Sequence, residues 1–485
     1  MQQIRIDSIL VEPTKAALIG DVPGVGKTLV GTEVILQGGH KRVLLAGVRD
    51  TYAQWRDRLA FQSGGTAVLR RIDATKAGKQ ALEDFLAGHD GLFFCGVQML
   101  VSKDWGHEPV LDSYGVQQIS EKTGKPVTKA VHLGTFAKMK PVDLFLFDEV
   151  HMIQNRKSRS KRTVYSIKSD WKVALSGTFY GNSFVGAWAV TRWLWRDLIP
   201  ASFYAWVAEW CETVYDPFAF GNQKVVGEKV AGAFVSSLPL YFRAEATEEA
   251  PAPRVVLVDL TREQRRDYES LERDMVVWLK SQTGVEPLIV DLPITLRARL
   301  RTATLGTMSL DADGEIFFPH DTKSSKLDAL SKLLHEYGKQ PVIIGVDSKR
   351  FAKVTVARMK AGGLAVAEWS GDVNSKGRDA IKAAFIAGEL QYIVSVIPSM
   401  STGIDGLQGV CSKVVWLSQS DDLSQNTQWL ARTFRPGRTM QYGEFEHTVI
   451  QARETLDLGI FNKKASELTA QNDPLRYVAE LPIAA

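Results

Sequence analysis

Phe145-Leu146-Phe147-Asp148-Glu149-Val150-His151 is the stretch that decides the fold. Three apolar residues run straight into two adjacent carboxylates. That is how a buried parallel strand ends, and ligands of open α/β sheets bind outside the carboxyl ends of such strands. Far upstream, Gly24-Val25-Gly26-Lys27-Thr28 lies between the apolar run Lys15 to Gly20 and the helically spaced run Thr28 to Leu36. A glycine-rich turn from strand into helix aims backbone amides and the positive helix end at anionic oxygens. The two segments together predict an α/β fold that binds and hydrolyses a nucleoside triphosphate.

Each residue type has a chemical reason to be there. Gly24 and Gly26 permit the backbone angles and the close approach, Val25 lies between them, Lys27 neutralises the β- and γ-phosphates, and the Thr28 hydroxyl ligates Mg²⁺. Asp148 holds Mg²⁺ through water and Glu149 orients and deprotonates the attacking water, while His151 is given only a coupling role. The strict G-x-x-x-x-G-K-[ST] pattern is broken, because Asp21 occupies its first position. The plain alternatives are a glycine turn that happens to end in Lys-Thr and a solvated acidic pair at a strand end. The acidic pair is common alone, and the occurrence of both segments on one chain argues against both alternatives.

A third segment narrows the kind of enzyme. In Gln428-Trp429-Leu430-Ala431-Arg432-Thr433-Phe434-Arg435-Pro436-Gly437-Arg438, the spacing places Gln428, Arg432 and Arg435 on one face of a helix. An arginine so placed can reach across a cleft to a γ-phosphate held on another domain, so Arg435 is the candidate arginine finger. Arg432 would pair with phosphate or with the acidic motif, and Gln428 would sense the nucleotide or bridge the domains. An ordinary solvated basic helix is the alternative reading.

The order and spacing of these segments resemble a superfamily 2 helicase or translocase of the DExH type, most similar to the Swi/Snf-like branch, over most of the chain. Motif I is Asp21 to Thr28. Motif Ia resembles Val43 to Gly47 followed by Gln54-Trp55, motif II is Asp148 to His151 trailed by Asn155, and motif III resembles Ser176-Gly177-Thr178 with Asn182 after it. Motif IV resembles Val342 to Val346, motif V resembles Ser401-Thr402-Gly403-Ile404-Asp405, and motif VI is the arginine segment. The chain departs from the branch where Phe179 replaces a proline, where motif V follows the general superfamily pattern, and where Arg438 replaces a glutamine.

The resemblance implies two RecA-like P-loop lobes, parallel sheets flanked by helices, with ATP and Mg²⁺ in the cleft between them. It implies nucleotide contacts from Gly403 and Asp405, and nucleic-acid contacts near Ser176, Thr178 and Thr402. It implies an ATP-dependent DNA translocase or helicase acting on duplex, branched or single-stranded DNA, in the general setting of DNA recombination and repair. RNA remains open, as do a strand-separating helicase and a non-motor nucleotide-dependent regulator. The family's adenine-recognising glutamine segment is not evident in the short stretch before Gly20.

Composition bounds the rest. The 485 residues, 45% hydrophobic and 24% charged, suit two large domains with substantial cores. Cys95, Cys211 and Cys411 are scattered and apolar in context, which fits core thiols in a reducing, cytoplasmic setting better than disulfides or a zinc site. No run reaches bilayer-spanning length and the start lacks a secretory layout, so membrane association is not expected, and the protein is expected to be monomeric. A net charge of +4 does not by itself announce nucleic acid. Locally, Arg156, Lys157, Arg159, Lys161 and Arg162 crowd behind the acidic motif and would neutralise backbone phosphates without reading bases. A solvated surface helix is the alternative.

The expected organisation is a first lobe over 1–245 with an insertion at 105–140, a candidate β-hairpin, then a connector with a helical segment over 246–324, and a second lobe over 325–485. The tryptophans and tyrosine between 184 and 215 are expected in the core rather than as base-stacking platforms.

Overall fold

The computed structural model of the chain describes residues 2–22, 24–101, 107–109, 117, 119, 126–130, 140–177, 179, 184–215, 223–244, 250–281, 284–290, 293–400, 406–434 and 443–458. The chain divides into two compact units, Met1–Glu245 and Ala246–Ala485.

The first unit is built on a seven-stranded sheet, parallel throughout. Its strands lie in the order Tyr241–Phe242, Ala16–Ile19, Ser169–Leu175, Val142–Asp148, Arg42–Gly47, Gly91–Gly96 and Leu69–Ile72. The central strands are apolar on both faces because helices cover both, so Ala16–Ile19 and Arg42–Gly47 are buried along their whole length. One face packs Val30, Val34, Trp55 and Leu59 from the helices Lys27–Gln37 and Tyr52–Gln62. The other face carries a large aromatic core in which the helices Gly186–Leu194 and Phe203–Trp210 bury Trp188, Trp193 and Trp206 against Phe145, Phe147 and Phe234. The tryptophans of the segment are therefore core, as their helical spacing indicates, whereas Tyr204, also expected there, is exposed at the helix surface. Within 105–140, the described residues include a short antiparallel pair, His107–Pro109 with Thr128–Ala130.

The second unit carries a six-stranded parallel sheet in the order Arg254–Val258, Glu446–Ala452, Lys413–Trp416, Val342–Val346, Tyr392–Val396 and Val366–Trp369. The segment 246–324, expected as a connector, thus contributes the edge strand of this sheet. Arg254–Val258 pairs in parallel with Thr448 to Ala452, a partner that lies almost at the other end of the unit. The same segment holds the helix Arg262–Asp274, opened by a Thr261/Gln264 capping box, the helix Pro293–Ala303, and strands of a four-stranded sheet. Helix Ser325–Tyr337 follows, with Leu327, Leu330 and Leu334 facing the sheet core.

All three cysteines are buried free thiols, and burial raises the Cys95 thiol well above its usual range. Among the described residues no helix is long and apolar enough to cross a membrane, and no cluster of His, Cys, Asp and Glu forms a ready-made metal cage.

Candidate functional site

The glycine turn lies at the carboxyl end of Ala16–Ile19 and runs into the helix Lys27–Gln37. Gly24 at φ 92° and Gly26 at φ 106° occupy left-handed backbone that a side chain would strain. Lys27 Nζ donates to the backbone carbonyls of Asp21 at 2.6 Å and Val22 at 3.2 Å, so its ammonium lies back over the loop. Asp21 is fully buried. Its carboxylate accepts from the Ala244 backbone N–H at 2.6 Å and pairs with Arg5. The residue that breaks the glycine pattern is therefore a strut, tying the loop to the first helix and to the strand that leaves the unit.

One residue at this loop escaped the sequence reading. Gln2, the first residue of the helix Gln2–Leu10, donates from Nε2 to the Val25 carbonyl at 2.7 Å, while its Oε1 is buried without a hydrogen-bond partner. An orphaned buried acceptor is costly and marks a place made for a donor. The available signal was a glutamine opening a helix just ahead of the loop, and its meaning depends on a packing the local pattern does not encode.

The acidic pair closes the strand Val142–Asp148. Asp148 accepts from Trp55 Nε1 at 2.9 Å. Burial pushes its carboxyl up to about 6, aided by Glu149 beside it, while Trp55 and the nearby Lys27 pull the other way. Glu149 stands at φ 58°, a left-handed conformation rare for a side-chain-bearing residue and characteristic of functional sites. The strain turns its carboxylate toward His151 Nδ1, 3.1 Å away, and His151 Nδ1 in turn lies 3.1 Å from Ser176 Oγ. Ser176 directly follows the strand Ser169–Leu175, which lies between the glycine-turn strand and the acidic strand, so the three strand ends meet at one place. Its hydroxyl is buried and 3.5 Å from Glu149, so it faces the acidic motif. Thr28 Oγ1 lies at the edge of this group, 3.5 Å from Gln54 Nε2.

The second unit's candidates fall differently. Gln428 sits in the helix Leu423–Leu430 and is only 7% exposed. That helix ends before Arg432, which lies on a tightened turn where its own N–H bonds to Trp429 O at 3.1 Å and Thr433 N–H to Leu430 O at 3.0 Å. The helix expected to run through Arg432 thus stops at Leu430, and the turn beyond it mixes three- and four-residue bonds, with Phe434 N–H returning to Leu430 O at 3.0 Å. Arg435, Thr178, Thr402, Gly403 and Asp405 lie outside the described residues.

The basic segment also divides. Arg156 stacks over Phe203 at 4.2 Å and Tyr204 at 5.3 Å, and Lys161 sits over Tyr165 at 4.5 Å and Trp188 at 4.6 Å. Burial, with Arg192, Arg156 and Arg162 nearby, depresses the Lys161 ammonium below its usual range. These two cations anchor the helix Arg159–Ser166 to the aromatic core. Lys157, Arg159 and Arg162 remain exposed on the surface.

No protein-family model matches the chain, and no curated protein matches it. Among solved structures it is similar to Saccharomyces cerevisiae Dbp5 bound to RNA and ADP BeF3, with a TM-score of 0.51 and 13% identity over 96% of this chain and 86% of that one. It is also similar to the Sulfolobus solfataricus SWI2/SNF2 ATPase core in complex with dsDNA, with a TM-score of 0.38 and 15% identity over 97% of this chain and 91% of that one. With its two parallel, helix-flanked sheets, the chain has a fold of two RecA-like lobes.

Proposed function

We propose that this chain is a nucleic-acid-dependent ATPase that couples ATP hydrolysis to movement on DNA and to the remodelling of branched DNA. The observation that carries the reading is the meeting of Lys27, Asp148, Glu149, His151 and Ser176 at adjacent strand ends, with Thr28 at the edge of the group. The donor set suits a nucleoside triphosphate with Mg²⁺. Glycines in left-handed backbone open the loop amides, a lysine lies over the loop, and a hydroxyl and a carboxylate stand as hard oxygen ligands. Thr28 and Asp148 would hold Mg²⁺, which would supply positive charge against the phosphoryl group in transfer. Lys27 would leave the loop carbonyls for the phosphates. Glu149, pre-aimed by its backbone strain and by His151, would take the proton of the attacking water. Gln2, with its buried free acceptor, would select a base that presents an amino group, as adenine does.

Support for DNA comes from the motif pattern of the Swi/Snf-like branch, and support for a motor from the presence of motifs in both units. On this reading Arg432 and Arg435 act on the nucleotide, and opening and closing of the lobes drives stepping. The antiparallel pair His107–Pro109 with Thr128–Ala130 favours one alternative, a strand-separating helicase with the insertion as its wedge. Comparing migration of a mobile junction with displacement of a long tailed duplex, at matched ATP use, separates the two. The remodelling reading expects the junction to be the better substrate. Processive opening of the tailed duplex, lost when 105–140 are deleted, would overturn it.

A further inference from the structure

The loop joining the strand Lys413–Trp416 to the helix Leu423–Leu430 is held from several sides. Buried Lys326 donates to Leu417 O at 2.9 Å, the Asp347 backbone N–H donates to Ser418 Oγ at 2.9 Å, and Asn426 clamps Ser420 by accepting from its N–H at 2.9 Å and donating to its carbonyl at 2.8 Å. One side chain gathers more than any of these. The Arg301 guanidinium donates to the Asp347 carboxylate, to the Asp421 carboxylate and to the Gln419 carbonyl, each at 2.5 Å, and its side chain is only 15% exposed. Arg297, one helical turn earlier, adds a contact to Asp421 at 3.4 Å.

The positions of those acceptors give the contact its meaning. Asp347 follows the strand Val342–Val346, and Asp421 follows the neighbouring strand Lys413–Trp416, so the fork spans two adjacent carboxyl ends of the second sheet. That edge of an open parallel sheet is where ligands are received. Asp421 also lies two residues before the helix that carries Gln428 and leads to Arg432. An exposed ion pair would contribute little, but a largely buried guanidinium that fills three acceptors fixes geometry in a way a lysine cannot copy.

We infer that Arg301 is a positioning residue for the ATPase reaction. It clamps the start of the motif VI helix to the motif IV strand end and thereby sets the aim of Arg432. This rests on the proposed ATPase activity. A residue that aims a transition-state contact lowers kcat and leaves KM for ATP nearly alone, whereas one that only stabilises the unit lowers the melting temperature and leaves both constants of the folded protein intact.

The test is steady-state ATP hydrolysis by the full chain with DNA present, for wild type, Arg301→Lys, Arg301→Ala, Asp421→Asn and the Arg301→Ala/Asp421→Asn double variant, with melting temperatures alongside. The expected result is a kcat lower by about tenfold or more in Arg301→Ala with KM within about threefold, a smaller decrease in Arg301→Lys, and a double variant no worse than its poorer parent. An active wild type whose Arg301 variants keep kcat within about twofold, or a double variant that shows the product of the single effects, overturns the clamp alone. Should Arg301→Ala fail to fold, Arg301→Lys and Asp421→Asn carry the same decision. A wild type that hydrolyses no ATP would instead remove the ATPase reading itself.

Discussion

At the residue scale the site separates binding from chemistry. Lys27→Ala and Glu149→Gln are both expected to abolish turnover, but Lys27→Ala removes the charge proposed to grip phosphate while Glu149→Gln keeps the shape and loses only the proposed base. Nucleotide affinity measured beside turnover should therefore fall in the first and persist in the second, and hydrolysis surviving in either would refute the assignment. Asp148 offers a test by pH. Its folded carboxyl, pushed up to about 6, lies above the usual unfolded value near 3.8, so the folded state binds the proton more tightly and stability is lost as pH rises through that window. Asp148→Asn should accordingly raise the melting temperature of the ligand-free protein at pH 7 and change it little at pH 4. Equal effects at both would show that the carboxylate is not destabilised. Lys27, Thr28, Asp148 and Glu149 were legible because a glycine turn and a strand-end acid pair are local patterns. Gln2 and the strut role of Asp21 were not, since both depend on the first helix packing against the loop, a contact without sequence periodicity.

At the element scale, the helix Arg159–Ser166 shows how charge and packing share one segment. Arg156 and Lys161 are committed to aromatic faces, so Lys157, Arg159 and Arg162 are the cations left for phosphates. Replacing those three with alanine should weaken binding to all DNA sequences alike and flatten the log–log salt dependence by up to roughly 0.9 for each duplex phosphate no longer neutralised. An unchanged slope in a salt titration would place the helix off the DNA. The aromatic core beneath it should be stability-determining. Trp206 is fully buried, so Trp206→Ala is expected to cost about 3–5 kcal/mol by denaturant unfolding, and a cost under about 1 kcal/mol would contradict its placement. The parallel strands of both sheets were readable as apolar runs, among them Phe145 to Phe147 and Val342 to Val346. The strand Arg254–Val258 carries the same kind of apolar run, but it follows directly on the Pro-rich stretch Ala250 to Pro253 and pairs with a segment far along the chain, so it reads as part of the connector. The end of the Leu423–Leu430 helix was hidden too, since Ala431-Arg432-Thr433 carries no glycine or proline to announce it.

At the scale of the whole molecule, two helix-flanked parallel sheets in one chain were legible because ordered motifs fell in both halves, each at the end of an apolar run. Two such units suit a cycle in which nucleotide and nucleic acid each bias the same conformational equilibrium, and binding of one must then favour binding of the other. The central claim is that hydrolysis answers to nucleic acid. ATP turnover of the wild-type chain, measured without nucleic acid and with single-stranded, duplex and forked DNA, and with Glu149→Gln as the control, tests it most directly. The account predicts a rate raised by about tenfold or more by DNA and absent in Glu149→Gln, a gain of about 1.4 kcal/mol in transition-state stabilisation. A wild-type rate indifferent to every nucleic acid added, or equal to that of Glu149→Gln, would contradict it.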